Sequence, residues 1–347
     1  MGAYHSLTTA LGHLSYWERR PTEADRGEED APIDRLPLVF CHGLGVGSSA
    51  FEWSRVYSAL GSGAGASDTG VLDTGVPDTG VPGAGGSDAD GTDTEGVDAV
   101  GVAPHLLAPH LIVPEFIGWG RSDKPDRRYQ VQDYLDQLEQ VLVEVARSPA
   151  WVIAASLTGG LALMLACQKP HLFRGLALVS PSGYGDFGQT YRNPFLAGLA
   201  PWGLDRSLYP WLTQSWTIAL AIDRFLLSPH TPLSMPERQA IHRAYRTAAQ
   251  RPHAQIAALA TLRGDLCFDL AAWVPRLQVP THLLWGQQAR ASAVTLGPRL
   301  QALNPDQIRT VTVVPNAGMV PHLEHPQRVR TWLWQRLTLT PHGGDPG

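Results

Sequence analysis

The segment Trp151–Ala166, WVIAASLTGGLALMLA, decides the fold. Its opening residues are apolar and partly β-branched, which suits a buried strand. From Ser156 onward the run changes to two glycines and then to leucine, alanine and methionine, which suit a helix. Strand, sharp turn, serine and helix is the arrangement that displays a serine nucleophile at the carboxyl edge of a parallel sheet. Such a turn strains the serine backbone, so the residues two places away must be small. Here they are Ala154 and Thr158 where G-x-S-x-G has glycine, with Gly159 and Gly160 following at once. The competing reading makes Ser156 a helix N-cap.

The flanking segments repeat the alternation. PLVFCHG (37–43) reads as a buried strand, SSAFEWSRVYSAL (48–60) as a helix with Phe51, Val56, Tyr57 and Leu60 on one side, and HLIVPEF (110–116) as the next strand. YQVQDYLDQLEQVLVEVA (129–146) has Val131, Tyr134, Leu135, Leu138, Val141, Leu142 and Val145 at helical spacing. GLALVSP, VPTHLLWG and RTVTVVPNAG supply further strands. This alternation predicts an α/β fold with a mostly parallel sheet covered by helices on both faces.

Two regions break the pattern. Residues 61–104 repeat DTGV from Asp68, Asp73 and Asp78, and contain eight carboxylates without a single Lys, Arg or aromatic residue. Such a segment cannot bury enough apolar surface to offset its ordering entropy, so it reads as a disordered acidic insertion. Its DADGTD (88–93) has Ala99 where a calcium loop needs a bidentate glutamate, and no metal is expected. Residues 185–265 are helical and rich in tryptophan, divided by Pro194, Pro201 and Pro210. The organisation expected is a core over 1–184, a helical cap over 185–265, and a second core part over 266–340.

HGLG (42–45) after the first buried strand, GWGRSDKP (118–125) after the next, and AASLTGG (154–160) together resemble the α/β-hydrolase superfamily, in the branch of haloalkane dehalogenases, epoxide hydrolases and esterases. The likeness covers nearly everything outside the acidic insertion. It implies Ser156 as nucleophile, backbone N–H donors at Leu44 and Leu157 for an oxyanion, and a cap over the pocket. It also implies an acid four residues past the tryptophan of a WG motif and a histidine after the glycine of GHxxHxExP. In LLWGQQARAS the first place is Ala289; in AGMVPHLEHP the second is Met319, although His322, Glu324 and Pro326 retain the rest. A thioether cannot accept and return a proton at neutral pH, and an unassisted hydroxyl is a poor nucleophile. His322 is the leading substitute base, ahead of His325, Asp265 and Glu324; Asp123 reads as a turn residue.

Composition narrows the class. The chain has 347 residues, 27 Lys+Arg against 32 Asp+Glu, and a net charge of −5. Without the insertion 24 acidic residues face 27 basic ones, about +3, so no strongly basic surface points to nucleic acid. Cys41, Cys167 and Cys267 are too few and scattered for a disulfide framework and read as core thiols. The amino terminus lacks a secretory pattern and no stretch is long and apolar enough to cross a bilayer, so a cytoplasmic protein is expected, with no cofactor. The expected function is non-hydrolytic: an apolar small molecule or a protein partner held in the pocket under the cap, lined by Phe195, Leu196, Trp202, Trp211, Trp216 and Phe225. The alternatives are an esterase or thioesterase that uses Ser156 with a relocated base such as His322, and catalysis by positioning alone.

Overall fold

The computed structural model describes residues 2–21, 36–60, 109–188 and 193–338. The acidic insertion lies outside the described residues. Eight strands form one sheet in the order β1-β2-β4-β3-β5-β6-β7-β8. They are β1 (Ala3–Thr9), β2 (Gly12–Arg19), β3 (Pro37–Cys41), β4 (His110–Glu115), β5 (Ala150–Ala155), β6 (Phe173–Val179), β7 (Thr281–Gly286) and β8 (Ile308–Val314). From β4 to β8 all pairings are parallel; β1 and β2 add an antiparallel hairpin at one edge. The expected mostly parallel α/β sheet is therefore present.

The central strands are buried on both faces, and their side chains alternate between two cores as the period of two requires. Val39, Cys41, Val152, Ala154, Leu283 and Trp285 enter one core. Leu38, Phe40, Trp151, Ile153, Ala155 and Leu284 enter the other. The first core is covered by α2 (Val131–Gln140, continued by a π-turn to Ala146), α3 (Ser156–Gln168) and α9 (Leu296–Leu303). The second is covered by the single turn α1 (Ser54–Tyr57) and by α11 (Pro326–Thr338), through Val56, Tyr57, Val329, Trp332 and Leu333. Each fully buried aliphatic side chain contributes about 1.5–3 kcal/mol. Helices on opposite faces thus hold β5 in the middle of the sheet, where Ser156 follows it.

Between β6 and β7 the chain is helical: α4 (Pro194–Leu199), α5 (Leu204–Leu212), α6 (Ser215–Ala221), α7 (Met235–Ala249) and α8 (Ala254–Arg263). Pro194 opens α4, but Pro210 sits inside α5 instead of ending it. A third apolar cluster joins Ile218 and Ile222 near α6 and Ile241 and Tyr245 of α7 to Met319, Val320 and Leu323 beyond β8. The short turn α10 (Pro321–Glu324) carries the last of these. The α6–α7 pair consequently packs on the loops that leave the carboxyl edge of the sheet.

Candidate functional site

Ser156 is the first residue of α3 and adopts φ +54°, a left-handed conformation that costs a non-glycine residue energy. The strained strand-to-helix turn is therefore present. The small residues beside it are needed for space. A Cβ on Gly160 would approach the Ser182 carbonyl oxygen to 2.7 Å, and one on Gly159 would meet Pro181 at 3.1 Å. Thr158, where a glycine was expected, is fully buried and its Oγ1 donates a 2.7 Å hydrogen bond to the His42 carbonyl. It ties the serine turn to the HGLG turn. The Ser156 hydroxyl does not cap its helix; it lies 2.9 Å from the Tyr184 hydroxyl.

Tyr184 follows β6 in SPSGYGD and is the partner of Ser156 that sequence reasoning missed. Its backbone is held in place from both sides: its N–H donates to Ser182 Oγ at 2.9 Å, and the Ser182 N–H donates to the Ser156 carbonyl at 3.2 Å. Ser182 Oγ in turn donates to Asp186, whose carboxylate also accepts from the Gly183 and Leu270 N–H groups. Burial raises the Asp186 pKa, while these hydrogen bonds oppose the shift. A serine, a glycine and an acid clustered just past the end of a strand were the only signal.

The HGLG turn is organised by buried polar groups. His42 Nε2 accepts from the Phe116 N–H at 3.3 Å, which leaves Nδ1 as the donor to the Gly43 carbonyl. The Gly43 N–H donates to Glu52 Oε2 at 2.7 Å, and the Gly45 N–H to Ser48 Oγ at 3.0 Å. Tyr245 of α7 donates its hydroxyl to the other Glu52 oxygen at 3.0 Å, so one buried carboxylate joins this turn to the helical segment. Gly47, at φ +82°, lies so near that a Cβ there would come within 2.3 Å of the Tyr245 carbonyl oxygen. Leu44 and Leu157 are both buried, and Leu157 is in the first turn of α3, where N–H groups have no partner within the helix.

The two positions expected to carry an acid and a base are apolar in context as well as in identity. Met319 is buried and Ala289 is packed against the same cluster, among Ile218, Ile222 and Ile241. The Met319 N–H donates to the Leu226 carbonyl at 2.7 Å, and its sulfur lies 3.3 Å from the Ser292 N–H. His322 is not joined to Ser156. It is fully buried, stacks on Trp53 with ring centroids 4.2 Å apart, and neither of its nitrogens has a hydrogen-bond partner among the described residues. Burial lowers its pKa to about 3, so it is neutral. Glu324 is also buried and accepts from the Ser228 N–H at 2.7 Å and the Gly318 N–H at 2.6 Å; burial raises its pKa to about 7 against the pull of those bonds.

The weaker candidates have other partners. Asp265 pairs with Arg263, His325 Nε2 lies 3.2 Å from the Asn316 carbonyl oxygen, and Asp123 accepts from the His13 N–H as a turn residue. The expectation that the tryptophans line a cavity needs correction. Trp211 is 70% and Trp216 is 67% exposed, and Phe195 and Phe225 are exposed too; in the run that carries Trp216 and Phe225, Ile218 and Ile222 take the inward side. The side chains of Leu196 and Trp202 lie outside the described residues. Among the described residues, no group of three or more His, Cys, Asp or Glu could hold a metal, and no helix is long and apolar enough to cross a membrane.

Chemically, the arrangement offers a strained serine, a phenol hydrogen-bonded to it, and an apolar surround. The partner of the serine hydroxyl is thus a second hydroxyl and not the imidazole of a Ser-His-acid triad.

Comparison with known proteins bears on the fold. No curated protein matches the chain. Solved structures do, with 15% identity and a TM-score of 0.64 to a serine hydrolase involved in carbazole degradation, over 97% of this chain and 100% of that one. A carboxylesterase from Bacillus subtilis gives 15% identity and a TM-score of 0.64 over 98% and 93% of the two chains. A thermophilic esterase from Thermogutta terrifontis gives 17% and 0.62 over 96% and 98%. At these identities the likeness is one of fold. The model of the alpha/beta hydrolase family matches residues 38–332, and the chain belongs to that family.

Proposed function

We propose that this hydrolase-fold protein binds an apolar small molecule between the carboxyl edge of the sheet and the α4–α8 cap, and does not hydrolyse esters through Ser156. The observation that carries this reading is the 2.9 Å contact between Ser156 Oγ and Tyr184 Oη, a phenol as the hydroxyl's partner where a Ser-His-acid triad has an imidazole. Ala289 and Met319 support it, since they join the apolar cluster instead of supplying an acid and a base. The hydroxyl pair would hold the polar end of the ligand, the N–H groups of Leu44 and Leu157 an oxygen upon it, and the cluster around Met319 its apolar body. A small molecule suits this site better than a protein partner because Ser156 is only partly exposed. Three cysteines without disulfides favour a reducing, cytoplasmic setting.

The strained backbone at Ser156 favours a second reading, hydrolysis through Ser156 with a relocated base. His322 would serve only after leaving its stack on Trp53. One comparison separates the two: p-nitrophenyl butyrate turnover and fluorophosphonate labelling by the unmodified protein and by Ser156→Ala. The expected result is equal, very slow turnover and poor labelling in both. Rapid turnover lost in Ser156→Ala overturns the non-hydrolytic reading. Laurate should raise the midpoint of thermal unfolding; no shift at saturating laurate counts against the binding half.

A further inference from the structure

The helical run from α6 through its π-turn, Ser215 to Leu226, is apolar on both sides. Ile218 and Ile222, one turn apart, face the Met319 cluster. On the opposite side Trp216 and Leu220, again one turn apart, are exposed, and Phe225 is exposed a turn further on. Trp211 extends the same surface: its carbonyl accepts from the Thr217 hydroxyl at the start of α6, so the end of α5 abuts this helix. A helix with apolar residues on two opposite sides is normally covered on both. Exposed aromatic and aliphatic groups this large and this close together mark a surface that works against something apolar.

The charges around the patch say what covers it. Arg224 follows Leu220 on the exposed side, Arg290 donates to the Arg224 carbonyl at 2.5 Å, and Arg243 is exposed on α7. The one carboxylate of the run, Asp223, is already engaged by His242 at 3.0 Å and Arg238 at 3.9 Å. Over residues 193–265 seven arginines face four carboxylates, although the whole chain is net negative. A second copy of the chain, meeting this face with its own, would set arginine against arginine while Asp223 of each copy is already engaged. Tryptophan, phenylalanine and leucine within an arginine rim match the boundary of an anionic bilayer, where the rings enter the headgroup level and the guanidinium groups meet the phosphates. We propose that the outer face of α6, with Trp211, Trp216, Leu220, Phe225 and Arg224, docks on an anionic lipid surface. This docking is independent of the chemistry at Ser156.

The test is co-sedimentation of the full chain with vesicles of phosphatidylcholine alone and with vesicles that also contain phosphatidylglycerol, at low and raised salt. Binding is expected to the mixed vesicles and to fall as salt rises. Arg224→Gln and Arg243→Gln should each weaken it about fivefold. Trp216→Ser combined with Leu220→Ser should weaken it about tenfold or more, with far-UV circular dichroism and the unfolding midpoint unchanged because both side chains are exposed. No partition into mixed vesicles, or equal partition of the unmodified chain and the variants, overturns the proposal. So does a dimer in sedimentation equilibrium that Trp216→Ser dissolves, which would assign the face to a second copy.

Discussion

His322 should make this protein acid-sensitive by an amount that can be worked out. Its imidazole is fully buried, both nitrogens are unpartnered among the described residues, and burial alone lowers its pKa to about 3 from an ordinary value of 6.5. Below about pH 6.5 the unfolded chain takes up a proton at this residue and the folded chain does not, so acid favours unfolding. The contribution is intact above the unfolded value and is lost as pH falls toward the folded one. Between about pH 7.5 and pH 5 the loss amounts to about 2 kcal/mol. His322→Phe keeps an aromatic ring against Trp53 and has nothing to protonate. Urea unfolding of both proteins at the two pH values, with matching m values, gives the comparison. The stability difference between variant and unmodified protein should favour the variant by about 2 kcal/mol more at pH 5 than at pH 7.5. An identical difference at both values would mean that the imidazole is solvated or paired in the folded protein, and the reasoning fails.

Glu324 should act in the opposite sense: its folded pKa of about 7 lies above the ordinary 4.5, so the folded protein holds a proton the unfolded chain has released, and stability falls as pH rises between the two. Glu324→Gln should remove this slope in urea unfolding, at a cost of about 1–3 kcal/mol because a side-chain amide cannot accept from both the Ser228 and Gly318 N–H groups. Thr158→Val keeps the shape of the serine turn and removes its bond to the His42 carbonyl; a loss of about 1–3 kcal/mol is expected, and a loss of a few tenths would show the tie to be unimportant. Ala289→Asp together with Met319→His should gain esterase activity that disappears in Ser156→Ala, with each single change gaining much less, as steady-state rates on p-nitrophenyl butyrate would report. Deleting residues 61–104 should leave the thermal midpoint nearly unchanged, and loss of folded protein on deletion would refute their dispensability.

The parallel core was legible because strands buried on both faces are continuous apolar runs: β3, β5 and β7 read directly as PLVFC, AWVIAA and THLLWG. The hairpin of β1 and β2 was not, since β1 is an edge strand whose burial alternates with exposure and whose residues are mostly polar. Ser156 and the turn around it followed from local spacing. Tyr184 did not, because a contact across 28 residues between the start of a helix and a loop leaves no period to read. His322 could be placed on the sequence but not beneath Trp53, which is 269 positions away in the chain and meets it only through packing. The tryptophans of the helical segment misled for a related reason. Spacing shows that Trp216 and Leu220 share one side of a helix, and Ile218 and Ile222 another. Both sides are apolar, and composition alone does not choose the inner one.

Glu52 makes two motions into one. Its carboxylate is the common anchor of Gly43 in the HGLG turn and of Tyr245 in α7, and Gly47 meets the backbone of that helix too closely for any side chain. If α7 lifts, either a buried carboxylate gives up a partner or the turn is dragged after it. The proposed ligand would therefore enter beside α7 and not beneath it, and anything that pushes on α7 from outside would be felt at the Gly43 N–H, across the joint between the HGLG turn and α7.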